Sequence, residues 1–298
     1  MHFHITNKGN KCSALSSQAV NVSNITYTTD GDVKTATGTY VHNGATYTFT
    51  DTYLLPIDFL GLRDASSNEE NLDTYSGRKV TTLMLLGRTL YADGSWNTLC
   101  LPFSLSNEDV YMYLNPTELK TLGSSEYNSS TGTLTLNFID ATAIEAGKPY
   151  LIKWTGGGNR TNPSFNYVTI NNVNAPVDTE YVTFAGFFSP VSLDADDRTK
   201  LLLGSGNNLY YPDAQTTIGS FRACFLLNNG LTAGNEPNEI NKFVLNFGDK
   251  PTGVGSISKV SGKEEAVFGW FTLDGRRLSS KPTAKGIYIN NGHKVVIK

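Results

Sequence analysis

Residues Thr89 to Leu105 read TLYADGSWNTLCLPFSL, and the rest of the chain is organised around them. A turn at Asp93, Gly94 and Ser95 leads into an apolar run carrying Trp96, Leu99, Leu101 and Phe103. Pro102 ends the ladder because it has no backbone donor. A short apolar run bounded by turn residues reads as a strand buried in a core. The same alternation of apolar run and turn recurs along most of the sequence.

Upstream, Asn24 to Pro56 reads NITYTTDGDVKTATGTYVHNGATYTFTDTYLLP, a β-meander written in turn chemistry. Asp30-Gly31 and Asn43-Gly44 supply the positive φ that tight hairpins need. Alternation puts Tyr27, Tyr47 and Phe49 against threonines on the opposite face, so one face is apolar and the other hydroxyl-rich. Residues 1–20 are a polar lead-in without period. Leu62 to Arg78 is a polar connector with a helical turn expected near Glu69 and Glu70.

Downstream, Val80 to Leu86 is a strand, and Asn115-Pro116-Thr117-Glu118 predicts a helix start with Gly123 as its stop. Thr131 to Ile139 alternates cleanly, with Leu134, Leu136 and Phe138 on one face. Further strands are expected at 149–155, 167–170, 181–184, 201–203, 209–211, 221–227 and 242–247. Strands at intervals of about ten residues without helices between them indicate an antiparallel β-sandwich or jelly-roll-like domain. The all-β chain divides into a lead-in and meander over 1–78 and a sandwich over 79–250. A Gly/Ser/Lys linker follows over 251–265 and a small C-terminal hairpin module over 266–298, where Asp274-Gly275 and Asn291-Gly292 are turns.

Composition narrows the function classes. Net charge is −3, and lysines and arginines are scattered, so nothing marks a nucleic-acid surface. Charged residues make up 17% of the chain, against a usual share of about a quarter. Serine, threonine, asparagine and glycine carry the polarity instead, which suits an extracellular surface. No apolar run approaches the roughly 18 residues that a transmembrane helix needs. The N-terminus MHFHITNKGNKCSALSSQ has neither a basic n-region nor an apolar h-region, so an exported form is expected to have lost its signal or to belong to a longer reading frame.

Chemistry-bearing motifs are sparse. The sequence contains no GxSxG, HExxH, P-loop or post-strand GxGxxG, and no cofactor is expected. Cys12, Cys100 and Cys224 are far apart without metal spacing. Cys100 and Cys224 read as small buried hydrophobes, and a bridge between them requires neighbouring strands. His2 and His4 lie in the lead-in, while His42 and His293 border Asn-Gly turns as solvated residues. Asp51, Asp140 and Glu145 are the candidate carboxylates for a polysaccharide hydrolase or lyase, set against a reading as strand-end carboxylates in water. Asp194, Asp196 and Asp197 offer hard oxygens for Ca²⁺, but without EF-hand spacing they read as a solvated acidic turn, so no metal is expected. Trp154, Tyr210 and Tyr211 are the candidate rings for saccharide binding, against a reading as core, whereas Trp96 and Trp270 read as buried.

The ending WFTLDGRRLSSKPTAKGIYINNGHKVVIK resembles the C-terminal modules of secreted and surface proteins of Bacteroidota, similar to but shorter than sorting domains of the type IX export route. Leu273, Gly275, Arg276, Gly286, Tyr288, Lys294 and Lys298 carry the likeness. GRTLYADGSWNTLCLPF, EAGKPYLIKW, LGSGNNLYYP and SFRACFLL similarly look like a β-rich module preceding that ending in large surface proteins of the same group. The resemblance implies a secreted or cell-surface protein and carries no catalytic residues. The expectation is a non-catalytic extracellular module for adhesion, glycan or host-protein binding, or spacing, with a C-terminal export or anchoring segment. The alternative is a hydrolase or lyase using a carboxylate pair.

Overall fold

The computed structural model of the protein describes residues 22–236, 239–248, 255–260, 270–272, 277–278, 282–283, 286–290 and 293–297. Among these residues the chain is all-β with two short α-helices, Glu69–Tyr75 and Asn107–Tyr113. The expected lead-in lies outside the described residues.

The meander forms as its turn chemistry dictates. Val22–Asp30, Val33–His42 and Ala45–Leu54 pair antiparallel in sequence order. Gly31 (φ 54°), Asn43 (φ 50°) and Gly44 (φ 78°) hold the hairpin corners in the left-handed region. Facing pairs place Tyr27, Ala36 and Asp51 on one side, and Thr37 opposite Thr50 on the other. Phe49 lies over Gly38, where a Cβ would meet its ring at 2.7 Å.

The main body has three layers. Its middle sheet runs in the order 255–256, 242–246, 133–140, 118–128, 149–153, 96–100. One face packs on a second six-stranded sheet ordered 177–178, 182–187, 222–227, 200–203, 209–212, 258–260. Leu134, Leu136, Phe138 and Leu151 meet Val182, Phe184, Leu201 and Phe225 there. Leu99, Leu119, Tyr150 and Ile152 join the other core. That core also takes Leu60, Leu62, Val80, Leu83, Leu85 and Phe165 from a three-stranded sheet of 164–169, 79–86 and 57–63. With a core on each side, every residue of Trp96–Cys100 is buried, as its apolar run demanded.

Several expectations need revising. The sheets are not purely antiparallel: Ile57–Arg63 runs parallel to Lys79–Leu86, Lys242–Asn246 to Thr133–Asp140, and Ser258–Val260 to Leu209–Pro212. The first of these pairings ties residues 57–63 to the layer beyond the expected division near residue 78, and Leu72 of the first helix adds to the same core. The helix expected from Asn115 is instead Asn107–Tyr113. Ser106 caps it in a reciprocal box with Asp109, and Val110 and Leu114 turn inward. Glu118–Asn128 is a strand with an irregularity at Gly123, so local capping chemistry around Asn115 yields to pairing on both edges. Within the expected linker, Gly255–Ser256 extends the middle sheet and Ser258–Val260 the second sheet. Gly255 sits where a Cβ would strike the Phe243 ring, so glycine here serves close packing.

The C-terminal module follows its hairpin pattern, with strands in the order 277–278, 270–272, 286–290, 293–297. Gly286 faces Ile297 and Tyr288 faces Val295, while Lys294 faces Ile289. Leu273, Gly275, Arg276 and Lys298 lie outside the described residues, as does the side chain of Trp270.

Candidate functional site

The rings expected to meet saccharide are committed elsewhere. Trp154 is 2% exposed; its indole N–H donates to the Leu114 carbonyl at 2.8 Å, and Arg160 covers the ring at 4.6 Å. The same guanidinium donates to the Gly158 carbonyl at 2.6 Å, so the glycine loop is tied to the cation that covers a core tryptophan. Tyr211 is buried between the two six-stranded sheets. Tyr210, on the opposite face of the same strand, packs on Leu202 and Cys224, and its ring occupies the space over Gly204.

Two of the three candidate carboxylates are tied into separate ion pairs. Asp140 is paired with buried Lys120 at 2.6 Å, while its own side chain is 85% exposed. Glu145 is 70% exposed and pairs with Lys148 at 2.9 Å. Asp51 sits on the meander opposite Ala36. Among the described residues, no group of three or more histidine, cysteine or acidic side chains is placed to hold a metal. In the acidic turn, burial pushes the Asp197 carboxyl up. Its hydrogen bonds to Lys200 and Thr199, with the lysine charge, outweigh burial and hold the carboxyl below its ordinary range. Cys100 and Cys224 are free and buried, and desolvation raises each thiol to about 12.

A different region gathers exposed rings and polar groups. A groove of about 1030 Å³ runs between the second helix and the strand Ser164–Thr169, one of the two edge strands of its three-stranded sheet. Buried Val168 and Ile170 form its floor. Tyr113 closes one side; its ring meets Phe165 edge-on at 5.7 Å and its hydroxyl donates to the Asn166 carbonyl at 3.2 Å. Met112 and Tyr167 form the exposed rim, at 67% and 68%. Ser76, Ser104, Thr169 and Asn171 add hydroxyls and an amide. Asp109 is the one carboxylate in the lining, and it accepts from the Ser106 N–H and hydroxyl at 3.2 and 2.7 Å.

Tyr167 has φ +57°, a left-handed backbone that bulky residues rarely adopt. The residue turns the strand's facing: Phe165 is inward before it, Val168 and Ile170 after it, and the tyrosine itself points out. Pairing keeps its register across the site, Asn166 facing Thr82 and Val168 facing Val80. Lys79 lies over the ring at 5.9 Å. Sequence reading placed Tyr167 in a strand without marking it. The available signal was the spacing of Phe165, Val168 and Ile170, three and then two, which breaks a period of two at this tyrosine.

No match to the chain was found among protein-family models, curated proteins or solved structures.

Proposed function

We propose that this chain is a non-catalytic extracellular binding module of a bacterial surface protein, with residues 266–298 serving export or anchoring. The groove beside Tyr167 carries the reading. A half-apolar, half-hydroxylic cleft with an exposed ring held at its rim suits reversible recognition of a polar ligand. Its single lining carboxylate is already engaged in a helix cap, whereas glycoside hydrolysis uses two facing each other. Low charge, abundant hydroxyls and the surface-protein likeness of the C-terminus support an extracellular setting.

The test screens the full chain against immobilised glycans and host extracellular proteins while following release of sugar ends. Retention without turnover is expected. Sustained product release would replace this reading with the hydrolase or lyase, and no retention on either class would remove it. Deleting 266–298 is expected to abolish surface display in a producing cell; normal display of the truncated chain would remove the export assignment.

A further inference from the structure

We propose that the groove between the second helix and the strand Ser164–Thr169 binds an uncharged saccharide, with one sugar ring stacked on Tyr167 and its hydroxyls bonded to the serine, threonine and asparagine groups of the lining. This rests on the binding-module reading and narrows it to one ligand class at one site.

The ring meets the first requirement. A hexose presents a face of C–H bonds that packs on an aromatic face, and Tyr167 is two-thirds exposed at the groove rim. Its left-handed backbone aims the side chain outward, where an ordinary strand conformation would continue the alternation set by Phe165. Sparsely populated backbone held at the edge of a concave surface is a mark of functional placement. Met112, on the facing helix, supplies the opposing apolar wall.

The polar groups meet the second. Ser104 Oγ accepts from the Ala146 N–H at 3.0 Å and Ser76 Oγ from the Asn172 N–H at 3.4 Å, which leaves each hydroxyl proton free to donate into the groove. Thr169 and Asn171 are exposed beside them. Such groups match sugar hydroxyls, which both donate and accept.

Charge and backbone exclude the competitors. No lysine or arginine lines the groove itself, Lys79 is drawn over the Tyr167 ring at 5.9 Å, and Asp109 is held by its own helix end, so an acidic saccharide would have to take the Lys79 cation from the ring on which the sugar stacks. An extended peptide adding itself to this edge strand meets two obstacles. The Asn166 carbonyl is already taken by Tyr113, and the turned backbone at Tyr167 interrupts the regular ladder that strand addition requires.

Affinity electrophoresis and calorimetry of the full chain, with a soluble glucan, mannan and xylan and with polygalacturonate, test the proposal. Binding to at least one neutral polymer and weaker binding to the polyuronate are expected. Tyr167→Ala should weaken the neutral polymer about tenfold or more. Tyr167→Phe should stay within about threefold. Tyr111→Ala removes a ring that is 71% exposed yet outside the groove, and should change nothing. Binding that survives Tyr167→Ala refutes this site while leaving the module a glycan binder. Preference for the polyuronate, or retention of host protein alone, refutes the ligand class while the binding-module reading stands. No binding to any of the four polymers overturns the inference outright.

Discussion

Replacing Tyr167 by glycine should make the protein more stable, or no less so, while removing its ligand. A bulky L-residue in the left-handed region costs about 1–2 kcal/mol. Glycine adopts φ +57° without that cost, but its looser unfolded chain takes back roughly 0.5–1 kcal/mol. The ring is 68% exposed and its one charged neighbour, Lys79, stands at 5.9 Å, so little packing is lost. The net lies between no change and a gain of about 1.5 kcal/mol, with melting temperature rising about 2–4 °C per kcal/mol gained for a domain of this size. Tyr167→Asn should behave alike, since asparagine tolerates this backbone. Denaturant titration of wild type and both variants measures the change. Phe165→Ala, two residues away, should lose about 3–5 kcal/mol and sets the scale for a core ring. A loss above about 1 kcal/mol in Tyr167→Gly would show that the ring works as packing, and the argument for a ligand-facing tyrosine would fail.

Three further outcomes follow from the cores. Cys100 and Cys224 should resist thiol reagents at pH 8 until the chain unfolds, and stability should fall as pH climbs from about 9 toward 12. Their protonated thiols are favoured in the folded state below the unfolded value and lose that advantage as the folded one is passed; rapid native labelling refutes this. Asp64→Asn should cost about 1–3 kcal/mol by urea titration, since it removes charge-assisted hydrogen bonds from a partly buried pair. It leaves Arg222 without its carboxylate beside Arg88, a 4% exposed guanidinium whose pKa burial and Arg222 lower to about 9; a neutral variant would mean water already serves these groups. Gly186→Ala should destabilise by about 1–3 kcal/mol, because the added Cβ meets the Cys100 side chain. Pairing it with Cys100→Ala should recover part of that loss, and independent effects would contradict the contact.

Much of the fold was legible in local sequence. Gly31, Asn43 and Gly44 stand in left-handed corners because Asp-Gly and Asn-Gly permit little else there, and Leu134, Leu136 and Phe138 face inward because a strand repeats every two residues. The all-β class, the meander, most strands and the small C-terminal sheet follow from such short-range rules. Pairing between distant segments was not written locally. Nothing in Ile57–Arg63 says that it joins Lys79–Leu86 in parallel, and nothing in the Gly/Ser/Lys stretch says that 255–260 completes two sheets. Ser106 and Asp109 did carry a capping signal, but Asn115-Pro116 offered a rival that only strand pairing overruled.

The site divides the same way. Composition set its chemical vocabulary: hydroxyls, amides and tyrosines with few charges. Which rings reach solvent depended on the third dimension. Trp154 and Tyr211 are as aromatic as Tyr167, yet layers close over the first two and leave the third at a groove rim. The physical reason is that alternation fixes which side chains share a face, whereas burial depends on what packs against that face, and that partner comes from residues far along the chain.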